Sequence, residues 1–172
     1  ASLEKVLERV LQHPVTLQAA SRTDAGVHAT NQVIHFDTLA LRPEKAWLRG
    51  TRPYLPDSVS VRWVKEVVPQ FHARFTAQNR TYRYLLTDAK VPSGLLHDQV
   101  TWSSRPLCVD SMRAAAAYLV GQHDFTSFRA TQCQAKSPVR RIEYLHIVRR
   151  GELIILEVQA NAFLHHMVRN FV

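Results

Sequence analysis

Apolar and polar positions alternate with two different periods along the chain. Leu3, Val6, Leu7, Val10 and Leu11 recur at the spacing of one helical face. This predicts an amphipathic helix over the first dozen residues, ended at His13-Pro14. Val15 to Ala20 alternates as a strand, Ser21 to His28 reads as a loop, and Gln32 to Phe36 reads as a second strand. Pro43 and Glu44 form the first turn of a short helix reaching to about Leu48. Val59, Val61 and Trp63 share one face of a third strand, with Arg62 and Lys65 among its polar positions. Tyr82, Tyr84 and Leu86 line one face of a fourth, opposite Thr81, Arg83 and Leu85. Asp110 caps a helix whose stripe is Met112, Ala115, Ala116 and Leu119, with Gly121 at its end. Ile142 to Arg149 and Leu153 to Ala160 form a hairpin joined around Arg150-Gly151. A last helix is expected from near Asn161, with Phe163, Met167 and Phe171 at helical spacing. Strands that meet by hairpins as well as across helices imply an α+β fold, a mainly antiparallel central sheet with helices packed on it. No repeat, low-complexity stretch or linker divides residues 1–172, so no internal domain boundary is expected.

Composition narrows the partners more than the fold. The 172 residues are 46% hydrophobic and 21% charged, so a packed core is expected rather than disorder. No apolar run reaches the roughly 18 residues that span a bilayer, and no signal peptide is expected. The chain opens inside a helix and stops in another, which leads us to expect a fragment. Cys108 and Cys133 lie far apart without CxxC spacing, so neither a zinc site nor a disulfide framework is indicated, and a reducing cytoplasm is the default compartment. The formal net charge is +8 and the pI about 10.0. Such a charge favours nucleic acid first and an acidic membrane surface second, the alternative being charge that serves only solubility.

The loop Ser21-Arg22-Thr23-Asp24-Ala25-Gly26-Val27-His28 sets a carboxylate, a guanidinium, a hydroxyl and a glycine between two apolar strands. Loops on rigid sheets commonly hold reactive groups. The same residues also fit a tight turn in which Asp24 bonds its own backbone and Gly26 takes positive φ. Here a family resemblance enters. Residues 22–28 resemble the RTDAGVH signature of TruA-type pseudouridine synthases. Three further blocks follow in family order: Phe71-His72-Ala73-Arg74-Phe75 with Arg80-Thr81-Tyr82-Arg83-Tyr84, then Asp124-Phe125-Thr126-Ser127-Phe128, then residues 161–170, which read NAFLHHMVRN.

The resemblance implies isomerisation of uridine to pseudouridine in the anticodon stem-loop of tRNA, at positions 38 to 40, with no cofactor and no metal. It makes Asp24 the nucleophile, adding to C6 of the ring or to C1′ of the sugar. It makes Arg169 the cation that pairs with Asp24 and holds it ionised. Tyr82 is implied to lie against the uracil, by stacking and through its phenol as acceptor of the C5 proton. Arg22 matches the residue that enters the stem when the target nucleotide is flipped out. Arg74, with Phe71 and Phe75 of the same block, Arg42, Gln132 and Lys136 are implied substrate contacts, mostly to phosphates, which position RNA without reading its bases. Each alone also fits a solvated surface residue, the better reading for Arg42 and for Lys90. Tyr84 reads as a core tyrosine, and His28 and His35 as hydrogen-bonded structural residues. Neighbouring residues on a helix point about 100° apart, so His165 and His166 are read as structural rather than as metal ligands. A tRNA-bound homodimer is implied as the partner state.

Two departures stand out. The family's leading strand, with a GWQ-type motif, and its region beyond the VRN block are missing from these residues. An unpaired sheet edge and incomplete enzymatic competence of the 172-residue piece are therefore expected. The rival readings are a non-catalytic tRNA-binding module or RNA chaperone, and an aspartyl hydrolase of phosphate esters; the second lacks a Mg²⁺-binding carboxylate set beside Asp24.

Overall fold

The computed structural model describes residues 2–172. The chain divides into two compact units, Ala1–Ala77 and Gln78–Val172.

In the first unit, helix α1 (Ser2–Leu11) is rich in Leu, Glu, Lys and Arg, which lose little rotamer freedom in a helix and outweigh the β-branched Val6 and Val10. It stops where Gln12 turns left-handed (φ 62°) and donates its N–H to the Glu8 carbonyl at 2.7 Å, two residues before Pro14. Leu7 and Leu11 bury their side chains with Val15 and Trp47, and Leu3, Leu17, Phe36, Ala40 and Val64 pack around them. Each such aliphatic contributes about 1.5–3 kcal/mol when removed from water. The two strands expected here are much shorter than their alternation promised. Only β1 (Gln18–Ala19) and β2 (Ile34–His35) pair, antiparallel. Helix α2 (Glu44–Thr51) has Pro43 as its N-cap (φ −65°, ψ 150°) rather than in its first turn, and it runs on past Leu48. A 3₁₀ turn, Arg52–Tyr54, continues it. The strand expected over Val59 to Trp63 does not form: residues 59–68 hold no ladder, and Val59 and Trp63 are exposed. Alternation gives a segment two faces, but a strand exists only through a partner's hydrogen bonds.

The second unit is a five-stranded sheet in the order β4-β3-β7-β6-β5. Its strands are β3 (Arg80–Thr87), β4 (Thr101–Trp102), β5 (Gly121–Asp124), β6 (Val139–Arg150) and β7 (Leu153–Ala160). All pairs are antiparallel except β3 with β4. The expected α+β class, a mainly antiparallel sheet bearing helices, is what the chain adopts. Central strand β7 alternates half-buried and buried residues along its whole length, with Ile154, Leu156, Val158 and Ala160 inward. On β6, Ile142 and Leu145 both face the core although three residues apart. A bulge between Ile142 and Tyr144 absorbs the odd residue. The β6–β7 hairpin closes through Gly151, whose φ of +58° suits glycine in a two-residue turn.

Helix α3 (Val109–Ala117) is capped by Cys108, not Asp110. Asp110 sits inside the first turn and its carboxylate accepts from Arg113 at 2.9 Å. Gly121 (φ +109°) lies beyond the helix end and opens β5, a strand its polar residues had hidden. The last helix, α4 (Met167–Phe171), begins well after Asn161. The Asn161 carboxamide oxygen accepts the N–H groups of Arg141 (3.0 Å) and Ala162 (2.9 Å), which ends β7 instead of starting a helix. Phe125, Ile142, Ile154, Val158 and Met167 are almost wholly buried in the core. No helix among the described residues is long and apolar enough to cross a membrane.

Candidate active-site loops

Asp24 and Arg22 lie in the loop between β1 and β2 of the first unit. The loop is a tight turn: the Val27 N–H donates to the Asp24 carbonyl at 3.1 Å, and Gly26 takes φ +78°. Below it, Gln32 Nε2 donates to the Ser21 carbonyl at 2.6 Å and the Ala20 N–H donates to the Val33 carbonyl at 2.9 Å. Arg62 donates to the Thr30 carbonyl at 2.9 Å. Both sequence readings of this loop, turn and carrier of a carboxylate, are thus compatible. A glycine without a Cβ lets the chain reverse directly after Asp24.

Phe71, Arg74 and Phe75 are drawn into one ring cluster on β2. The Phe71 ring meets His35 edge-on at 6.0 Å, His35 meets His72 at 4.5 Å, and His72 tilts over Phe75 at 4.2 Å. The Arg74 guanidinium lies 5.6 Å from the Phe75 ring centre, and Phe75 is three-quarters exposed. Two histidines organise this. His35 Nδ1 accepts the Ala73 N–H at 3.1 Å, in keeping with the structural role read for it. His72 Nδ1 accepts the N–H groups of Arg74 (3.1 Å) and Phe75 (3.2 Å), while the Thr76 hydroxyl donates to the His72 carbonyl at 2.7 Å. A nitrogen accepting from backbone amides carries no proton, so in both neutral rings the proton is on Nε2. Arg42, exposed before α2, keeps its carbonyl bonded to Trp47 Nε1 at 3.1 Å.

In the second unit Tyr82 stands on β3 opposite Val158, and its ring meets Phe163 edge-on at 4.9 Å. Tyr84 also packs against this core, as expected, and its phenol bonds Thr101 at 3.0 Å. Arg169 is exposed on α4, whose Met167, Val168 and Phe171 face the core. The Asn170 side chain ties α4 to the Phe128 carbonyl at 3.0 Å. His165 and His166 are not on a helix. They form the turn before α4, with His166 left-handed at φ 59° and the two rings 3.9 Å apart. The helix-angle reasoning applied to them therefore fails at its premise.

Gln132 and Lys136 are exposed on the loop between the Thr126–Phe128 turn and β6. No motif marks what holds that loop. The Arg129 guanidinium spans it from within, donating to the carbonyls of Cys133 (2.5 Å) and Ala135 (2.9 Å). Cys133 Sγ in turn accepts the His165 N–H at 3.4 Å. Burial pushes the Cys133 thiol up, but the backbone N–H groups of His165 and Ala135 and the Arg129 guanidinium together draw it below its ordinary value. Asp124 was legible as a motif residue but not in its role. Its carboxylate accepts both the hydroxyl (2.5 Å) and the N–H (2.8 Å) of Thr126, which hold it below the usual carboxylate range and tie the end of β5 to the start of the 3₁₀ turn. A D-x-T triplet at a strand end is a local signal for this turn.

The fold and these motif-bearing loops define an α+β protein of the pseudouridine synthase fold. A family model described as tRNA pseudouridine synthase matches residues 115–172. The chain is 53% identical over 170 residues to tRNA pseudouridine synthase A of Methylococcus capsulatus, covering 99% of this chain and 63% of that protein. It is 51% identical over 169 residues to the protein of that name from Pseudomonas aeruginosa (98% and 59%), and 49% over 170 residues to that from Hydrogenovibrio crunogenus (99% and 65%). The chain spans about three-fifths of the length of these relatives. It belongs to the tRNA pseudouridine synthase family.

Proposed function

We propose that this chain carries the isomerisation of uridine to pseudouridine in tRNA, in the anticodon stem-loop, with Asp24 as nucleophile. The observation that carries the reading is identity near one half, over almost every residue, to relatives named for that reaction. The turn that presents Asp24 and the excess of cations add support. In the reaction N1–C1′ breaks and C5–C1′ forms; C5 loses its proton and N1 ends with one, so nothing is gained or lost overall. The Asp24 carboxylate adds to the nucleotide and leaves again. Arg169 pairs with Asp24 and keeps it ionised. Tyr82 bears the uracil ring and its phenol takes up the C5 proton. Arg22 fills the stem after the nucleotide is flipped out, and flipping costs a few kcal/mol of stacking. Phe71, Arg74, Phe75, Arg42, Gln132 and Lys136 contact the RNA. The working state is a cytoplasmic homodimer with tRNA across both subunits, and no cofactor or metal takes part.

The test is to incubate the full-length protein with an unmodified tRNA transcript and map pseudouridine by carbodiimide labelling. Product in the anticodon arm is expected, and its absence would sink the reading. Asp24→Ala is expected to keep tRNA affinity and lose product. If that variant still makes pseudouridine, Asp24 is not the nucleophile; if the wild type binds tRNA without making any, the chain is a binding module.

A further inference from the structure

Helix α2 and the 3₁₀ turn that continues it collect their cations on one side. Lys45, Arg49 and Arg52 recur at i, i+4 and i+7, and all three are exposed. Trp47 and Thr51, on the opposite side of the same helix, are buried. Residues at these spacings stack one above another, so three positive charges share one stripe. Beside the stripe lies an open pocket of about 310 Å³, lined by Leu48, Arg49, Thr51, Arg52, Pro53, Ser60 and Val61. The pocket sets two arginines and a serine beside a lining that is mostly apolar. Its acidic neighbour, Asp57, approaches Arg52 at 3.7 Å, but both side chains are largely in water. An exposed pair of that kind is weak and yields readily to a stronger anion.

We propose that this pocket is a subsite for the phosphate–ribose backbone of an RNA strand, separate from the loop that carries Asp24. Arg49 and Arg52 take a phosphodiester, where their planar forks can donate two hydrogen bonds at once. Lys45 meets the neighbouring phosphate. The Ser60 hydroxyl faces the ribose, whose apolar side rests on Pro53 and Val61. The partner follows from charge complementarity: a concave basic site on a chain of net charge +8 fits a polyanion. The inference rests on the reading that RNA is the substrate and extends it to a surface no motif marks.

The experiment measures binding of an unmodified tRNA transcript by fluorescence anisotropy across a salt series. It compares wild-type full-length protein with Arg49→Ala/Arg52→Ala and with Arg49→Lys/Arg52→Lys. The alanine pair is expected to weaken binding about tenfold or more at low salt and to flatten the plot of log affinity against log salt by about 1–2 units. In turnover the loss is expected in KM. The lysine pair, which keeps the charge, is expected to recover most of the salt slope. Wild-type affinity and slope in the alanine pair overturn the subsite. So does a fall in melting temperature that accounts for the whole loss, since cations in a last helical turn also stabilise the helix end. If anionic lipid vesicles compete for wild type but lose nothing in the alanine pair, while tRNA binding falls, the RNA assignment stands; the reverse pattern overturns it. A wild type that binds tRNA through these arginines yet makes no pseudouridine defeats the proposed activity and leaves the subsite intact.

Discussion

At the scale of single residues, His72 does work that its motif did not reveal. One unprotonated nitrogen holds the amides of both Arg74 and Phe75. His72→Ala is expected to speed hydrogen exchange at those two amides about tenfold, because each lost bond contributes roughly 0.5–1.5 kcal/mol. His72→Asn, whose oxygen can accept at a similar place, is expected to restore protection; equal exchange in all three proteins would refute the role. Tyr82 carries a second prediction. Tyr82→Phe keeps the ring and loses the phenol, so pseudouridine formation is expected to fall about 10²- to 10⁴-fold with tRNA affinity kept. Tyr82→Leu is expected to lose both. Asp88 gives the pH dependence. Arg149 grips it with two hydrogen bonds (2.7 and 2.8 Å), the Leu107 N–H adds a third, and together they hold the carboxyl far below its ordinary range. A carboxylate with a depressed folded value stabilises the protein fully above the unfolded value, near 3.9, and the stabilisation is lost as pH falls further. Melting temperature is expected to drop between about pH 4 and pH 2, and Asp88→Asn to flatten that drop.

At the scale of elements, periodicity was read correctly wherever a segment's own residues decide its structure. Helix α1, the faces of β3 and the β6–β7 hairpin needed only a stripe, an alternation and a glycine that accepts positive φ. Two variants test the hairpin. Ile154→Ala empties a fully buried site on the central strand and is expected to cost about 2–5 kcal/mol in urea unfolding. Gly151→Ala forces a Cβ into φ +58°, with open space around it, so only backbone strain of about 1–2 kcal/mol is expected. The segments misread are those whose state depends on a distant partner. Residues 59–63 alternate well and remain unpaired, whereas Gly121–Asp124 alternates poorly and is a strand because β6 offers its edge. Asn161 reads as a helix opening until Arg141, twenty residues earlier, is seen to claim its side chain.

At the scale of the whole molecule, the excess of positive charge makes RNA affinity a function of salt. Binding is expected to weaken by about 0.7–0.9 log units per decade of salt for each phosphate neutralised. An affinity indifferent to salt would rule out a backbone-tracking surface. The four motif blocks, the candidate nucleophile and the α+β class were legible in the residues alone. Chemistry demands particular side chains in a particular local order, and the two periods of helix and strand are local properties. Tertiary structure alone decided that Cys133, in the loop bearing Gln132 and Lys136, takes the His165 N–H, that a bulge turns both Ile142 and Leu145 inward, and that Arg49 and Arg52 border a pocket with Ser60 and Val61. Each of these joins residues that no short-range pattern connects, through hydrogen bonds and packing that exist only once the chain has folded.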